Sequence, residues 1–185
     1  MNSKSNYEKQ DPPVVLWGGS FSSIKRPHLF EELAKSIPYA HFEMFGGKTT
    51  EVPHLYDEIM ATARKLPNLR FHGFIPSQRV DECFKRSSIF VNTSRIEGFP
   101  ITFIQAWAHY VPVISLNVDP DRIIQNEKLG FCSGTFEQLV SDVITLLEDE
   151  KLRKTMGENA RKYVEREHDI RKIVKKYIEL FEEIL

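Results

Sequence analysis

Residues 89–115 read IFVNTSRIEGFPITFIQAWAHYVPVIS, and this stretch decides the fold. Two apolar runs rich in β-branched residues, IFVNTS and PVISL, flank a segment at 100–110 whose apolar residues have helical spacing. Pro100 suits the first turn of that helix, because the missing N–H of proline has no partner there. The stretch therefore predicts a strand–helix–strand unit, from which parallel sheets are built.

The same alternation extends in both directions from this unit. Strands are predicted at VVLWGG, HFEMFGG and LRFHGFI upstream and at residues 131–132 downstream. Helices are predicted at residues 28–37, 53–66, 77–85, 122–126, 135–148, 150–165 and 170–185. Strands that alternate with helices need crossover connections, so we expect a parallel sheet with helices on both faces. The fold predicted is an α/β, doubly wound, Rossmann-like domain.

Composition and charge exclude several classes of protein. The 185 residues carry a formal net charge of −1, so no overall basic field attracts nucleic acid, and none is expected as a partner. No apolar run approaches the roughly 20 residues that span a bilayer. Cys83 and Cys132 lack a metal-type spacing and fit a reducing compartment, which indicates a cytoplasmic location. Residues 1–13 are polar and are expected to form a tail or interdomain linker before a domain at 14–185.

Three short motifs and the histidines are weak evidence for other sites. GGKTT at 46–50 ends like a phosphate-binding loop, but Phe42 stands where that loop needs a glycine. DPD at 119–121 fits a helix-capping turn better than an acidic metal site. GGSFSSIK lacks the third glycine of a dinucleotide-binding fingerprint. The six histidines include no pair four residues apart on a helix, so neither zinc nor a histidine-based hydrolase is predicted.

The segment after the 89–94 strand has the features of a ligand site, because doubly wound sheets bind ligands beyond the carboxyl ends of their strands. Gly98 allows a close approach to the backbone, and the first N–H groups of the helix, on Ile101 and Thr102, favour phosphate oxygens. Glu97 is placed either to accept hydrogen bonds from sugar hydroxyls or only to favour the helix dipole from solvent. Gln105 shares a face with Ile101, and either reaches the pocket or lies at the edge of the core.

Lys25 adds a cation to the same predicted crevice. It follows the first strand in a glycine-rich loop, GGSFSSIKRP, and is expected to face Glu97. A point cation beside a helix N-terminus suits a diphosphate. Standing alone, Lys25 would be interpreted as a solvated loop lysine, so its interpretation as a ligand depends on this context.

Four blocks occur in an order that carries a resemblance: GGSFSSIKRPHLFEELAK, LRFHGFIP, IFVNTSRIEGFPITFIQAWAHYVPVIS and NEKLGF. Together, over about 14–185, they resemble the C-terminal, donor-binding domain of GT-B glycosyltransferases of the large retaining group called family four. The resemblance implies one half of a GT-B architecture. The other half, an N-terminal Rossmann-like domain that holds the acceptor and some catalytic groups, is absent from this chain.

The resemblance also implies an activity. A hexose would move from a nucleoside-diphosphate sugar to an acceptor hydroxyl with retention of configuration and without a metal or other cofactor. The domain alone is expected to bind donor but to transfer little or no sugar. The location implied is the cytoplasm, or the cytoplasmic face of a membrane through peripheral association of the full protein.

Individual positions take roles from the same resemblance. Glu97 matches a glutamate that contacts the donor sugar, and Lys25 matches the lysine of a diphosphate-binding Arg and Lys pair; these two are the implied catalytic residues. Ser20 stands in place of that arginine, Gln105 in place of a ribose-binding glutamate, and Tyr110 in place of a glycine. The implied substrate-binding residues are Gly19 and Ser20 after the first strand, Phe74 and Ile75 beside the base, and Gly98, Phe99, Ile101, Thr102 and Gln105 around the phosphates and sugars.

Ser20 and Gln105 keep a second hypothesis open. A domain that has lost two polar contacts of the donor site also fits a non-catalytic binding or scaffolding module, which would bind no nucleoside diphosphate. A third alternative, a sugar phosphorylase or other GT-B relative, would need a cofactor lysine or another phosphate site, and neither is evident in the sequence.

The last predicted helix carries an apolar stripe formed by Ile173, Tyr177, Leu180 and Phe181. We expect this stripe to pack on the domain's own sheet, with partial exposure as the alternative.

Overall fold

The computed structural model describes residues 11–184, and within that range the predicted Rossmann-like architecture is confirmed. Most of the predicted tail at 1–13, together with Leu185, lies outside the described residues. The strands are β1 Val14–Gly18, β2 His41–Phe45, β3 Leu69–Phe71, β4 Ile89–Asn92, β5 Val113–Ser115 and β6 Gly130–Cys132. The helices are α1 Pro27–Ser36, α2 Pro53–Ala63, α3 Ser77–Arg86, α4 Ile101–Ala108, α5 Ile123–Asn126, α6 Phe136–Glu148, α7 Glu150–Glu167 and α8 Ile170–Ile184, with a 3-10 turn at Pro120–Arg122.

The six strands form one parallel sheet in the order β3-β2-β1-β4-β5-β6. The chain builds outward from β1 to β3, then returns to the other side of β1 to begin β4. Val15 pairs with Ile89 and Leu16 with Phe90 across this reversal. The loops that follow β1 and β4 therefore leave the sheet side by side, at the switch point where such sheets bind ligands.

Apolar strands suit this sheet because both of its faces are covered. Along β1, Val15 and Trp17 join the core beneath α1, α2 and α6, while Leu16 joins the core beneath α3, α4 and α7. Successive residues of a strand point to opposite faces, so a strand buried on both sides has no polar alternation.

Several predicted elements end earlier in the structure than in the sequence-based prediction. β3 ends at Phe71 and not at residue 75, because Gly73 takes a left-handed φ of 69° and its carbonyl accepts from Gly46 N at 2.9 Å. The predicted first-turn role of Pro100 is wrong by one position: Pro100 is the N-cap, with extended backbone, and α4 begins at Ile101. The same helix ends at Ala108, because Tyr110 has a φ of 59°.

The expectation that the last helix packs its apolar stripe on the sheet is wrong. Tyr177, Leu180 and Phe181 are 57%, 49% and 59% exposed, and only Ile173 of the stripe is half-buried. The reason is that both faces of the sheet are already covered by the helices that precede α8. An exposed apolar face of this kind is typical of a surface that another protein segment covers.

Glu31 is a buried carboxyl in α1 whose ionisation opposes folding. Its side chain is 5% exposed, and its Oε1 has no hydrogen-bond partner among the described residues. Burial raises the pKa of Glu31 from 4.5 to about 7, although the charge of Lys35 acts in the other direction. The folded state therefore binds the carboxyl proton of Glu31 more tightly than the unfolded state does. The stability that this protonated carboxyl contributes is complete below pH 4.5 and is lost as the pH rises through about 7.

We therefore expect Glu31→Gln to raise the free energy of unfolding at pH 8 by about 1–3 kcal/mol, and to change it far less at pH 5. Urea unfolding at the two pH values measures the difference. Glu32→Gln is the matched control, because Glu32 is an exposed neighbour that pairs with Lys35 at 2.6 Å. The same pH dependence in both variants would show that Glu31 is not the buried titrating group.

Candidate functional site

An ion pair between Lys25 and Glu97 occupies the crevice at the switch point. Lys25 lies in the loop between β1 and α1, Glu97 lies in the loop between β4 and α4, and Lys25 Nζ is 2.6 Å from Glu97 Oε2. Both side chains are half-buried. Because β1 and β4 are adjacent and parallel, two residues 72 positions apart in the chain are brought into contact. The structure therefore places both predicted catalytic residues together.

Asn92 holds the second carboxylate oxygen of Glu97. Its Nδ2 donates to Glu97 Oε1 at 2.8 Å, while its Oδ1 accepts from Ser94 N at 3.1 Å and from Ser115 Oγ at 3.4 Å. Asn92 is not among the residues predicted from the sequence, in which its one signal is a polar side chain at the end of an otherwise apolar strand. This network fixes the direction in which the carboxylate points.

Glu97 is ionised at neutral pH. Burial raises the pKa of its carboxyl, but hydrogen bonds from Lys25, Ser94 and Asn92 outweigh that effect and hold the pKa below its ordinary value. An ionised carboxylate only accepts hydrogen bonds. Glu97 is thus suited to contact hydroxyl or ammonium groups and not to deliver a proton.

The backbone of the Lys25 loop is tied to the loop after β4. Thr93 Oγ1 donates to the carbonyl of Lys25 at 2.6 Å and accepts from Trp17 Nε1 at 2.9 Å. Thr93 and Trp17 are both buried. This chain of hydrogen bonds sets the position of Lys25 from inside the domain.

Arg26, which is also not among the residues predicted from the sequence, links the same two loops. Its Nε donates to Thr93 O at 2.7 Å and its Nη2 to Ser94 O at 3.0 Å and to Asn117 Oδ1. Burial and, to a smaller extent, the nearby charge of Arg95 lower the pKa of this guanidinium. The acceptors come from the loops after β4 and β5, so Arg26 has a structural role beneath the crevice.

The N-terminus of α4 opens on the crevice four residues after Glu97. Ile101 is exposed and Thr102 is half-buried, and the first N–H groups of a helix have no acceptor within it. A Cβ added to Gly98 would meet nothing within 4 Å. The space in front of Gly98 is therefore open, and no described neighbour requires a glycine at that position.

The two residues predicted to flank a base separate in the structure. The ring of Phe74 is 73% exposed and lies over Gly47, where an added Cβ would come within 3.2 Å of it. Ile75 is half-buried and packs against the core on the α3 side of the sheet. Of these two residues, Phe74 presents an exposed aromatic face beyond the end of β3.

The remaining predicted substrate-binding residues lie in or beside the two loops. Gly19 adjoins the stem of Lys25, with 3.8 Å between an added Cβ and Lys25 Cδ, and Ser20 is exposed. Gln105 is half-buried in α4. The ring of Phe99 turns toward Trp107 and His168, with centroid distances of 6.2 and 5.4 Å.

The described residues contain neither a cluster of metal-binding side chains nor a membrane-spanning helix. Among residues 11–184, no group of three or more His, Cys, Asp or Glu side chains is arranged to hold a metal ion. No helix in the described part of the chain is both long and apolar enough to cross a membrane.

The fold is that of the C-terminal, Rossmann-like half of GT-B glycosyltransferases. The C-terminal domain of a group 1 family glycosyl transferase (LpcC) from Francisella tularensis matches with a TM-score of 0.75 and 21% identity, over 85% of this chain and 87% of that one. Anabaena HepE in complex with UDP matches with a TM-score of 0.81 and 18% identity, over 92% of this chain and 48% of that one. At these identities the likeness shows the fold.

The sequence places the chain in a family. The family model for glycosyl transferases group 1 matches residues 2–163, and the chain belongs to that family. It is 24% identical over 174 residues to the alpha-galactosylglucosyldiacylglycerol synthase of Streptococcus pneumoniae, covering 91% of this chain and 45% of that protein. It is 37% identical over 86 residues to the capsular polysaccharide glycosyltransferase CapM of Staphylococcus aureus, covering 44% of this chain and 22% of that protein. The chain thus spans less than half the length of these two relatives.

Proposed function

We propose that this chain is the donor-binding half of a retaining glycosyltransferase that moves a hexose from a nucleoside-diphosphate sugar to an acceptor hydroxyl. The observation that carries the proposal is the Lys25–Glu97 pair, 2.6 Å apart at the switch point of the sheet and just before the open N-terminus of α4. A cation and a helix N-terminus suit a diphosphate. A fixed, ionised carboxylate beside them suits the hydroxyls of the attached sugar.

In this scheme the diphosphate replaces Glu97 as the partner of Lys25. Oε2 of Glu97 then becomes available to a sugar hydroxyl, while Asn92 continues to hold Oε1. Lys25 and the first N–H groups of α4 stabilise the charge that develops on the departing diphosphate, as preorganised donors do in other active sites. Positive charge from these groups is the basis for proposing a reaction without a metal or other cofactor.

The nucleoside end of the donor is proposed to lie toward β3. The exposed ring of Phe74 offers a stacking face for the base, since aromatic side chains stack with bases without strong sequence preference. Gln105 can accept from one ribose hydroxyl and donate to another. Gly19 and Ser20 border the phosphates, and the backbone at Gly98 and Phe99 borders the sugar.

The whole enzyme is proposed to contain a second, N-terminal Rossmann-like domain that supplies the acceptor site, with residues 1–13 as the linker and 14–185 as the donor domain. This proposal is supported by the length of two relatives, of which the chain covers only 22% and 45%. On this proposal the present chain binds donor and transfers little sugar. A location in the cytoplasm or at the cytoplasmic face of a membrane is supported by the similarity to a diacylglycerol glycolipid synthase.

A thermal-shift titration with UDP, GDP, ADP and their sugar conjugates tests the proposal. A ligand at about 100 times its dissociation constant adds about 2.7 kcal/mol, which raises the midpoint of a chain of this length by roughly 5–10 °C. We expect one base to give this shift, and one sugar to add to it in the wild type but not in Glu97→Ala. If no nucleoside diphosphate or conjugate shifts the midpoint at millimolar concentration, the donor site is refuted, and the non-catalytic scaffold that Ser20 and Gln105 favour takes its place.

A further inference from the structure

The proposed diphosphate site is short of available positive charge. Lys25 is paired with Glu97, and the guanidinium of Arg26 is directed at three oxygen acceptors of the protein. Ser20 is neutral and exposed. Lys48, beyond the end of β2, is 2.9 Å from Asp57 and lies over the ring of Tyr56. A nucleoside diphosphate therefore meets cations that are already neutralised or turned inward.

Arg95 is a cation beside this site that lacks such a partner. It lies two residues before Glu97, it is exposed, and its side chain makes no ion pair or hydrogen bond with the residues that the structure describes. Its backbone N–H donates to the carbonyl of Ile24 at 2.9 Å. Arg95 is thus fixed next to the residue that precedes Lys25, on the loop that also carries Glu97.

The charge of Arg95 also acts on this part of the molecule. Burial is the larger cause of the lowered pKa of the Arg26 guanidinium, and the like charge of Arg95 is the smaller one. Arg26 in turn contacts the carbonyls of Thr93 and Ser94, directly before Arg95. Arg95 therefore follows directly the two residues that Arg26 ties to the first loop, and its backbone is bonded to that loop at Ile24.

We infer that Arg95 supplies the second cation of the diphosphate site and compensates for the neutral Ser20. This inference rests on the proposed function, because it assumes that a nucleoside diphosphate binds in this crevice. A guanidinium makes two parallel hydrogen bonds to phosphate oxygens and is weakly hydrated, so it suits this role better than a second ammonium group. No existing ion pair has to break before Arg95 engages the ligand.

Isothermal titration of the whole chain tests the inference, with the nucleoside diphosphate that binds the wild type and with the same nucleoside lacking phosphates. A hydrogen-bonded charge pair corresponds to a loss of about 10- to 100-fold when one partner is removed. We expect this loss of diphosphate affinity in Arg95→Ala and in Arg95→Gln, and unchanged affinity for the nucleoside. Ser20→Arg in the Arg95→Ala background should restore part of the affinity, because it returns a guanidinium to the first loop.

Arg64→Ala is the matched control, because Arg64 is an exposed arginine at the end of α2 and far from the strand ends that form the crevice. Wild-type binding that persists unchanged in Arg95→Ala overturns the inference and leaves the proposed function standing. An equal loss for nucleoside and diphosphate also overturns it, since the contact would then not be to phosphate. If the wild type binds no nucleoside diphosphate, the proposed function itself has failed.

Discussion

Replacing Lys25 with alanine is expected to weaken nucleoside diphosphate binding by about 100-fold. Hydrogen bonds to charged groups contribute about 1.5–3 kcal/mol each, and about 2.7 kcal/mol corresponds to 100-fold. Removing the ammonium group also leaves Glu97 unpaired beside the incoming phosphates, because Lys25 Nζ is 2.6 Å from Glu97 Oε2. The variant therefore loses an attraction and gains a repulsion between like charges. Isothermal titration measures the change.

The double variant Lys25→Ala, Glu97→Gln separates these two effects. With the carboxylate neutralised, part of the lost affinity should return, and the double-mutant cycle gives the coupling between the two side chains. Lys35→Ala is the control, since Lys35 is an exposed lysine at the far end of α1, paired with Glu32. Diphosphate affinity in Lys25→Ala equal to that of the wild type would remove Lys25 from the site.

Gly157→Ala is expected to destabilise the domain by about 2 kcal/mol, although alanine is the better helix former. In the interior of a helix the exchange alone would stabilise by about 0.5–1 kcal/mol. Gly157 is buried in α7, however, and an added Cβ would lie 2.3 Å from the carbonyl oxygen of Tyr110, two residues after the end of α4. Overpacking typically costs about 1–3 kcal/mol. A backbone atom cannot move aside as a flexible side chain does, so the steric cost exceeds the gain in helix propensity.

The loss should lower the thermal midpoint by roughly 4–8 °C for a chain of this size. Glu158→Ala is the matched control, because the next residue of α7 is exposed and its replacement changes propensity without the overlap. A midpoint that rises in Gly157→Ala would contradict the close contact of α7 with the end of α4. This contact matters for the site, since α4 presents its N-terminus to the crevice.

Much of the fold follows from local sequence pattern. Alternating apolar strands and helices predict a parallel sheet because parallel strands need crossover connections. The meeting of Lys25 and Glu97 was also predictable, since both follow buried strands whose carboxyl ends share one edge of the sheet. The pattern does not give the exact ends of elements. β3 stops early because Gly73 takes a left-handed φ, with its carbonyl bonded to Gly46 in a different loop.

Other features of the site depend on contacts between distant parts of the chain. In the sequence, Asn92 is only the polar end of a strand, and Arg26 is a second cation beside Lys25. Their roles follow from partners that tertiary structure supplies, such as Asn117, which is 91 positions from Arg26. Likewise, periodicity shows that α8 has an apolar stripe, but not whether the sheet has a free face to receive it.

The central claim is that the carboxyl ends of β1 and β4 bind the donor, and NMR mapping of the nucleotide tests it most directly. On titration of the ¹⁵N-labelled chain with the nucleoside diphosphate that binds, we expect the largest shifts at the backbone amides of Gly19, Gly98, Ile101 and Thr102. Amides at the opposite edge of the sheet, such as His41 and Asn68, should not change. Shifts centred on that opposite edge, or none at millimolar nucleotide, would contradict the claim.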